Sequence, residues 1–343
     1  FFSESKKGGT NYSDYKQLGQ TYGNVSLNIT DGTFHCPIFG GGFGVAYATN
    51  KGNNTQEILS NMARLFGKST VKINGGTFYD HVYGGGDMAQ VDETEMYISD
   101  NAQILRSVFA GGNGREKIVK ANDDNWHPEY IGRVIGNTSL TLSGTSEQAP
   151  SIYGDIFGGG NLAQVGGDTN INIYGANFAG EIFGGGMGKI TEEITSADVN
   201  GNTNIYLAQD PGLQTREKDG TSKDYFSINV IWNKLWDFNE QKFYAWNNDV
   251  EGEEGKDYTV DKARFYYEDD EDKDKFLNPH NIYGGGKLAC NVTGTATVVV
   301  KKGMTPYSLL KTPEWKDSYE DNKNPHFSVF GGGYGENTSV GNT

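Results

Sequence analysis

The chain has 343 residues, a formal net charge of −15 and 49 glycines. The acidic balance excludes most nucleic-acid binders, which need clustered Lys and Arg over the phosphates, and it disfavours anionic membrane surfaces. Glycine is about twice its usual share of roughly 7%, but a Gly-X-Y period is missing, so a collagen-like protein is excluded.

A short phrase recurs seven times: an aliphatic residue, an aromatic residue and three glycines. The copies are Ile38–Gly42, Val82–Gly86, Val108–Gly112, Ile156–Gly160, Ile182–Gly186, Ile282–Gly286 and Val329–Gly333, with Ala110 in place of one glycine. The spacing is 26 residues from Gly84 to Ala110 and again from Gly158 to Gly184. This periodicity predicts a repeat protein.

Each repeat also carries one strand in which apolar and polar residues alternate, which predicts one buried and one solvated face. These strands contain Val25-Leu27-Ile29, Val71-Ile73, Met96-Ile98, Leu140-Leu142, Ile171-Ile173, Ile205-Leu207 and Val298-Val300. A unit of 26 residues is too short for a propeller blade of about 40 residues. We therefore predict an all-β fold, a parallel β-helix of about seven coils forming a single domain over residues 1–343, with a propeller as the alternative.

Insertions lengthen the other repeats at two corners of the predicted coil. Residues 43–68 contain a predicted short helix near 55–66, capped by Asn54 and ended by Gly67, with Leu59, Leu65 and Phe66 on its apolar face. Residues 208–280 are predicted to form an inserted subdomain, and residues 301–327 a second insertion at the same corner. Insertions on one side of a solenoid often bind partners.

Aromatic residues of the insertions are the first candidate binding residues. All five tryptophans lie in insertions and none in the repeat, and tryptophan is enriched in binding hot spots. The alternative is that they form the cores of small inserted subdomains. The candidates are Trp126, Trp232, Trp236, Trp246, Trp315 and Tyr244.

The aromatic residues of the repeated phrase form a second candidate set, which we call the ring column: Phe39, Tyr83, Phe109, Phe157, Phe183, Tyr283 and Phe330. Strict alternation turns each ring outward, where a column of rings stacks on sugars or on a partner protein. The alternative is a covered, interior stack, which the predominance of Phe favours. Alternation alone leaves both open.

Catalytic and metal-binding patterns are weak. The acidic run Glu268–Asp274 lacks the glycine and glutamate of an EF-hand loop. The five histidines are scattered without metal-ligand spacing, so we expect no metal and no cofactor. We find no acidic pair that recurs on neighbouring coils, and the weak candidates for catalysis are Asp237, Glu240, Asp249 and Glu251.

The two cysteines, Cys36 and Cys290, lie about five coils apart, so we predict two free and largely buried thiols. No run of about 18 apolar residues is present, so we expect no membrane insertion by this segment. The chain opens and closes in the middle of the repeat pattern, which suggests a piece of a longer protein.

The repeated phrase, continued as Leu162-Ala163-Gln164-Val165 and then Thr169-Asn170-Ile171-Asn172-Ile173, resembles glycine-rich repeats of bacterial cell-surface and secreted proteins. These look like members of the pectin-lyase-like superfamily. The resemblance implies a right-handed parallel β-helix, an extracellular or cell-surface location, and adhesin-like binding of a glycan or surface protein. It also keeps open a polysaccharide lyase or glycoside hydrolase, and a segment of a stalk or fibre that associates end to end.

Overall fold

The computed structural model describes residues 19–46, 59–116, 126–144, 148–178, 180–191, 194–207, 228–230, 234–237, 242–245, 281–300, 307–308 and 329–342. Over these residues the protein is all-β, with almost no helix. Three parallel sheets contain most of the strands. In each sheet the strands follow one another in chain order, and the chain passes from sheet 1 to sheet 2 to sheet 3 seven times.

Sheet 1 is the longest and contains the alternating strands expected from the sequence. Its register matches the repeat, with Val71 opposite Met96, Leu140 opposite Ile171, and Ile205 opposite Val298. Its strands are Thr21–Tyr22, Val25–Ile29, Leu65–Ile73, Val91–Ser99, Thr138–Ser143, Thr169–Ile173, Thr203–Leu207, Asn291–Val300 and Ser339–Asn342.

Sheets 2 and 3 consist of short strands, mostly of two residues. The strands of sheet 2 are Thr33–Phe34, Thr77–Phe78, Gln103–Ile104, Ser151–Ile152, Ala176–Phe178, Ile228–Val230 and Tyr307–Ser308. Those of sheet 3 are Ile38–Phe39, Val82–Tyr83, Val108–Phe109, Ile156–Phe157, Ile182–Phe183, Ile282–Tyr283 and Val329–Phe330. The described residues also contain two antiparallel hairpins, in which Lys189–Ile190 pairs with Ile194–Thr195, and Lys234–Asp237 pairs with Lys242–Ala245.

The main hydrophobic core contains the inward residues of sheet 1 and the aliphatic residues of sheets 2 and 3, such as Ile171, Ile152 and Ile156. A second core is a column of four valines, of which the last belongs to a strand of sheet 1: Val134, Val165, Val199 and Val292. Parallel strands place equivalent residues side by side, so a repeated apolar position becomes a continuous buried column.

Two of the sequence-based predictions need correction. Only residues 59–61 are helical in the described part of the predicted helix, because Leu65 and Phe66 begin a strand of sheet 1 and pair with Thr21 and Tyr22. Both cysteines are free, as predicted, but only Cys290 is buried. Cys36 is exposed because it lies in the turn between Thr33–Phe34 and Ile38–Phe39.

The predicted insertions are partly described. Ile228–Val230, within the predicted subdomain 208–280, is a strand of sheet 2 that pairs with Ala176–Phe178 and Tyr307–Ser308. A 3₁₀ turn at Pro128–Tyr130 lies in the insertion before Thr138. The acidic run Glu268–Asp274 lies outside the described residues.

Candidate binding surface

The outer face of sheet 1 presents two columns of side chains, set by the parallel register. The first column is Ser26, Thr70, Glu95, Ser139, Asn170, Asn204 and Thr297. The second column is Asn28, Lys72, Tyr97, Thr141, Asn172, Tyr206 and Val299. We call these fourteen residues the outer face; apart from Lys72 and Glu95 they are uncharged.

An open depression of about 520 Å³ lies at the first end of the outer face, between Asn24, Thr70, Lys72, Glu95 and Tyr97. Tyr97 is 39% exposed, and its hydroxyl donates a hydrogen bond to Glu95 Oε1 at 2.7 Å. That bond, with partial burial, raises the pKa of Tyr97. The Lys72 ammonium lies 5.8 Å from the centre of the same ring. An exposed ring beside polar groups is a suitable platform for a sugar.

The rest of the outer face carries amides and hydroxyls. Asn204 Nδ2 donates to Asn170 Oδ1 at 3.1 Å, and Asn170 Nδ2 donates to the carbonyl of Thr138 at 3.3 Å. Tyr206 stands in the same column as Tyr97, three strands further on, and packs edge-on against Tyr174. Three strand spacings of about 4.8 Å place the two tyrosines roughly 14 Å apart.

The binding candidates in the insertions are placed only in part. Trp232, Trp246 and Trp315 lie outside the described residues, as do Glu240, Asp249 and Glu251. Trp236 and Asp237 lie on one strand of the second hairpin and Tyr244 on the other, with Trp236 opposite Phe243. Trp126 is partly buried against a small cluster of Ala46, Met88 and Ile131. That contact agrees with a packing role for Trp126.

The ring column is a covered stack. Phe109, Phe157 and Phe183 are fully buried, and Tyr83 and Tyr283 are nearly so. Neighbouring rings lie face to face, with centroids 4.6 Å apart for Phe109 and Phe157 and 5.0 Å apart for Phe157 and Phe183. Only the two ends of the column are open: Phe39 is partly buried and Phe330 is exposed. The exposed-platform alternative is therefore wrong for the five inner rings.

Side chains from two flanking positions cover the ring column. His81 packs edge-on against Phe109, and the Lys287 ammonium lies 5.2 Å from the centre of the Phe183 ring. Asn161 Nδ2 contacts the hydroxyl of Tyr83 at 3.4 Å and Asn113 Oδ1 at 3.0 Å. The rings do point away from the main core, as alternation requires, but neighbouring side chains close over them.

A charged cluster lies over the ring column and contradicts the expectation that no acidic pair occupies neighbouring repeats. Asp155 and Glu181 precede paired strands of sheet 3, and the N–H of Glu181 donates to Asp155 Oδ1 at 2.9 Å. Lys287 Nζ lies 2.8 Å from Asp155 Oδ2 and 3.8 Å from Glu181 Oε2. The sequence did not reveal this pair, because the residue type at this repeat position varies from copy to copy and only these two neighbouring copies are acidic.

Burial and neighbouring charges shift the pKa values of several groups over the ring column. Burial raises the pKa of Glu181, and the Asp155 carboxylate adds to this. Burial also lowers the pKa of His81 and raises that of Tyr283 to about 12. For Lys287, burial works against the charged form, but Asp155 and Glu181 outweigh it and the pKa is raised. Shifted groups of this kind occur at functional sites and in structural ion pairs alike.

No family model, no curated protein and no solved structure matches this chain.

Metal sites and membrane spans were expected to be absent. In the described ranges, no three His, Cys, Asp or Glu residues come together in a way that could hold a metal ion. Among the same residues, no helix has the length and apolar character of a membrane span.

Four threonines of the sheet 1 strands have a structural role that the sequence alone did not reveal. Their buried hydroxyls donate to the carbonyl of the first residue of the glycine triplet in the same repeat, at 2.5–2.6 Å: Thr94 to Ala110, Thr138 to Gly158, Thr169 to Gly184 and Thr203 to Gly284. For Thr138, Thr169 and Thr203 the signal is Gly-Asn/Asp-Thr, as in Gly167-Asp168-Thr169, whereas Thr94 follows Asp92-Glu93. The middle residue of the signal bonds the next repeat, because Asp168 Oδ1 accepts the N–H of Asn202 at 2.7 Å.

Proposed function

We propose that this chain is a right-handed parallel β-helix of about seven coils that acts as a non-catalytic, extracellular binding scaffold. Its ligand is a neutral, linear glycan, which lies along the outer face of sheet 1. The proposal extends the resemblance to bacterial surface proteins of the pectin-lyase-like superfamily from fold to function.

The observation that carries the proposal is the pair of tyrosines, Tyr97 and Tyr206, at the two ends of a row of uncharged side chains. Thr141 and Asn172 lie between them in the same column. Aromatic rings stack on the apolar faces of sugars, while amides and hydroxyls exchange hydrogen bonds with sugar hydroxyls. The absence of a basic row on the outer face favours a neutral over an acidic glycan.

A glycan is favoured over a protein partner because the outer face has no apolar centre. Protein interfaces bury a hydrophobic, aromatic-rich centre inside a polar rim. On the outer face the two tyrosine rings are separated from each other. The neighbouring column beside them is polar and contains Ser139, Asn170 and Asn204.

Glycan-array binding of the intact chain, followed by titration of the best ligand, tests this function. Tyr97→Ala and Tyr206→Ala should each weaken binding about tenfold, equivalent to about 1.4 kcal/mol. Tyr334→Ala is the matched control, because Tyr334 is comparably exposed, at 47%, but lies after a glycine triplet and not on sheet 1. A chain that binds no neutral glycan, or that loses binding equally in the control, overturns the proposal.

A second candidate function, a glycoside hydrolase, is favoured by the neighbouring carboxylates of Asp155 and Glu181. Two carboxyl groups that flank a glycosidic bond are the usual catalytic pair. Both contact Lys287, so catalysis would require this lysine to move. Release of reducing ends from neutral polysaccharides by the wild type but not by Glu181→Gln would establish it.

A further inference from the structure

The charged cluster over the ring column brings the amino group of Lys287 close to two carboxyl groups, those of Asp155 and Glu181. Lys287 Nζ lies 2.8 Å from Asp155 Oδ2 and 3.8 Å from Glu181 Oε2. At least three-quarters of each of these side chains is covered. Asp155 belongs to the fourth repeat, Glu181 to the fifth and Lys287 to the sixth, and 132 residues separate the two reacting residues.

We propose that Lys287 and Asp155 form an intramolecular isopeptide bond, with Glu181 as the group that transfers the proton. The bond that forms is the amide between Lys287 Nζ and Asp155 Cγ, and the bond that breaks is Cγ–Oδ2. The ammonium and the carboxylate become one amide and one water molecule. Charge and atoms balance without an oxidant, a reductant or a cofactor.

The contacts support each step of this reaction. One proton passes from the Lys287 ammonium to Oδ2 across the 2.8 Å contact, which leaves a neutral amine beside a carboxylic acid. The amine attacks Cγ, and the charge that develops on Oδ1 is stabilised by the N–H of Glu181, which already donates to that atom at 2.9 Å. Glu181 accepts the second proton from Nζ and delivers it to Oδ2, which leaves as water.

The surroundings hold the reacting groups together. The Lys287 ammonium lies against the Phe183 ring, which is fully buried. Burial alone would favour the neutral amine, but Asp155 and Glu181 outweigh it and raise the pKa of Lys287, so the proton transfer to Oδ2 is the uphill step of the reaction. Fixed contact between the reacting atoms supplies the proximity that an intermolecular reaction lacks. Asn281 Nδ2, 3.4 Å from Glu181 Oε1, helps to hold the glutamate in place.

The bond would have a mechanical consequence for the proposed scaffold. It joins the fourth repeat directly to the sixth and encloses residues 208–280 in a covalent loop. In a repeat protein, contacts between repeats otherwise join only direct neighbours. A cross-link that skips one repeat prevents those three repeats from separating under force or heat.

Intact-mass spectrometry of the denatured wild-type chain tests the proposal. The expected mass is that of the sequence less one water molecule, and protease digestion should yield a branched peptide that joins Asp155 to Lys287. Lys287→Arg should restore the full mass. Glu181→Gln should slow formation about a hundredfold or more, in the range of general acid–base catalysis.

The matched control is Lys189→Arg, since Lys189 also pairs with a glutamate, Glu116, but both side chains are exposed. This variant should retain the water loss. A wild type of full mass, or a water loss that persists in Lys287→Arg, overturns the proposal. Because the main readout is on the wild type, it does not depend on how well the variants fold.

Discussion

In every triplet but the last, the second glycine lies against the backbone of the next repeat. A Cβ on Gly159 would come within 2.6 Å of the Gly186 nitrogen and 2.8 Å of its Cα. Neither Gly159 nor Gly186 has a positive φ, so the requirement for glycine is one of space. The triplets continue the pairing of sheet 3, with the N–H of Gly159 donating to the carbonyl of Gly185 at 3.0 Å.

Gly159→Ala should therefore lower the free energy of unfolding by about 3 kcal/mol or more, the upper end of overpacking penalties, because backbone atoms must move. Gly332→Ala is the matched control, since it occupies the same place in the last triplet and its Cβ would meet nothing within 4 Å. The control should change stability by less than about 0.5 kcal/mol. Equal losses for the two variants in denaturant unfolding would contradict the close-approach explanation.

The buried thiol of Cys290 predicts that the stability of the protein depends on pH. Burial raises the pKa of this thiol from its ordinary value of 9.0 to about 12. The folded state therefore keeps a proton that the unfolded state loses first. The resulting stability is present below pH 9 and is lost as the pH rises towards 12.

The free energy of unfolding should thus fall over this range, and Cys290→Ala should make the fall shallower. Denaturant titrations at a series of pH values measure both slopes. Cys36→Ala, which removes the exposed thiol, should leave the slope unchanged. A wild-type slope that Cys290→Ala does not reduce would show that the buried thiol is not a source of the alkaline loss.

Predictions for single residues were correct at positions that repeat. They failed where the exposure or the contacts of a side chain depend on residues from other parts of the chain. The need for glycine in the triplets was predictable from seven aligned copies. The exposure of Cys36 was not, because it depends on one turn in the first repeat. The cluster of Asp155, Glu181 and Lys287 was also missed, because its members come from three different repeats and from two different repeat positions.

At the scale of an element, the ring column behaves as a second core parallel to the main one. Phe157 is fully buried and stacks on Phe109 on one side and on Phe183 on the other, with planes 2° and 9° apart. Buried aromatic pairs contribute beyond the area that they bury. The column therefore stabilises neighbouring repeats against each other.

Phe157→Ala should cost about 3–5 kcal/mol of stability, as expected for a buried phenylalanine. Phe330→Ala should cost much less, since that ring is 43% exposed and stacks only on Tyr283 in the described part of the chain. Thermal and denaturant unfolding of both variants measure the difference. If Phe157→Ala were as mild as Phe330→Ala, the inner rings could not be packing as a core.

The elements themselves were predictable in sheet 1, whose alternating residues match the observed register over seven passes. The orientation of the ring column was not, because alternation specifies only that the rings face away from the main core. Whether they are covered depends on flanking side chains such as His81 and Lys287. The predicted helix failed at its end because pairing of Leu65 and Phe66 with Thr21 and Tyr22 outweighed helical periodicity.

At the scale of the whole molecule, the parallel register converts sequence repeats into rows of side chains along each sheet. Inward rows form the cores, and the outward rows of sheet 1 form the outer face. A ligand that matches this surface extends along the row of strands and contacts several repeats at once. Tyr97 and Tyr206, three strands apart, set the length that such a ligand must span.

The central claim, that a neutral linear glycan binds along the outer face, is tested most directly by affinity as a function of oligosaccharide length. Isothermal titration should show affinity rising steeply once the chain reaches both tyrosines, roughly 14 Å apart, and then levelling off. In Tyr206→Ala that rise should disappear, while short oligosaccharides bind as before. Affinity that is independent of length, or a rise that survives in Tyr206→Ala, would contradict the claim.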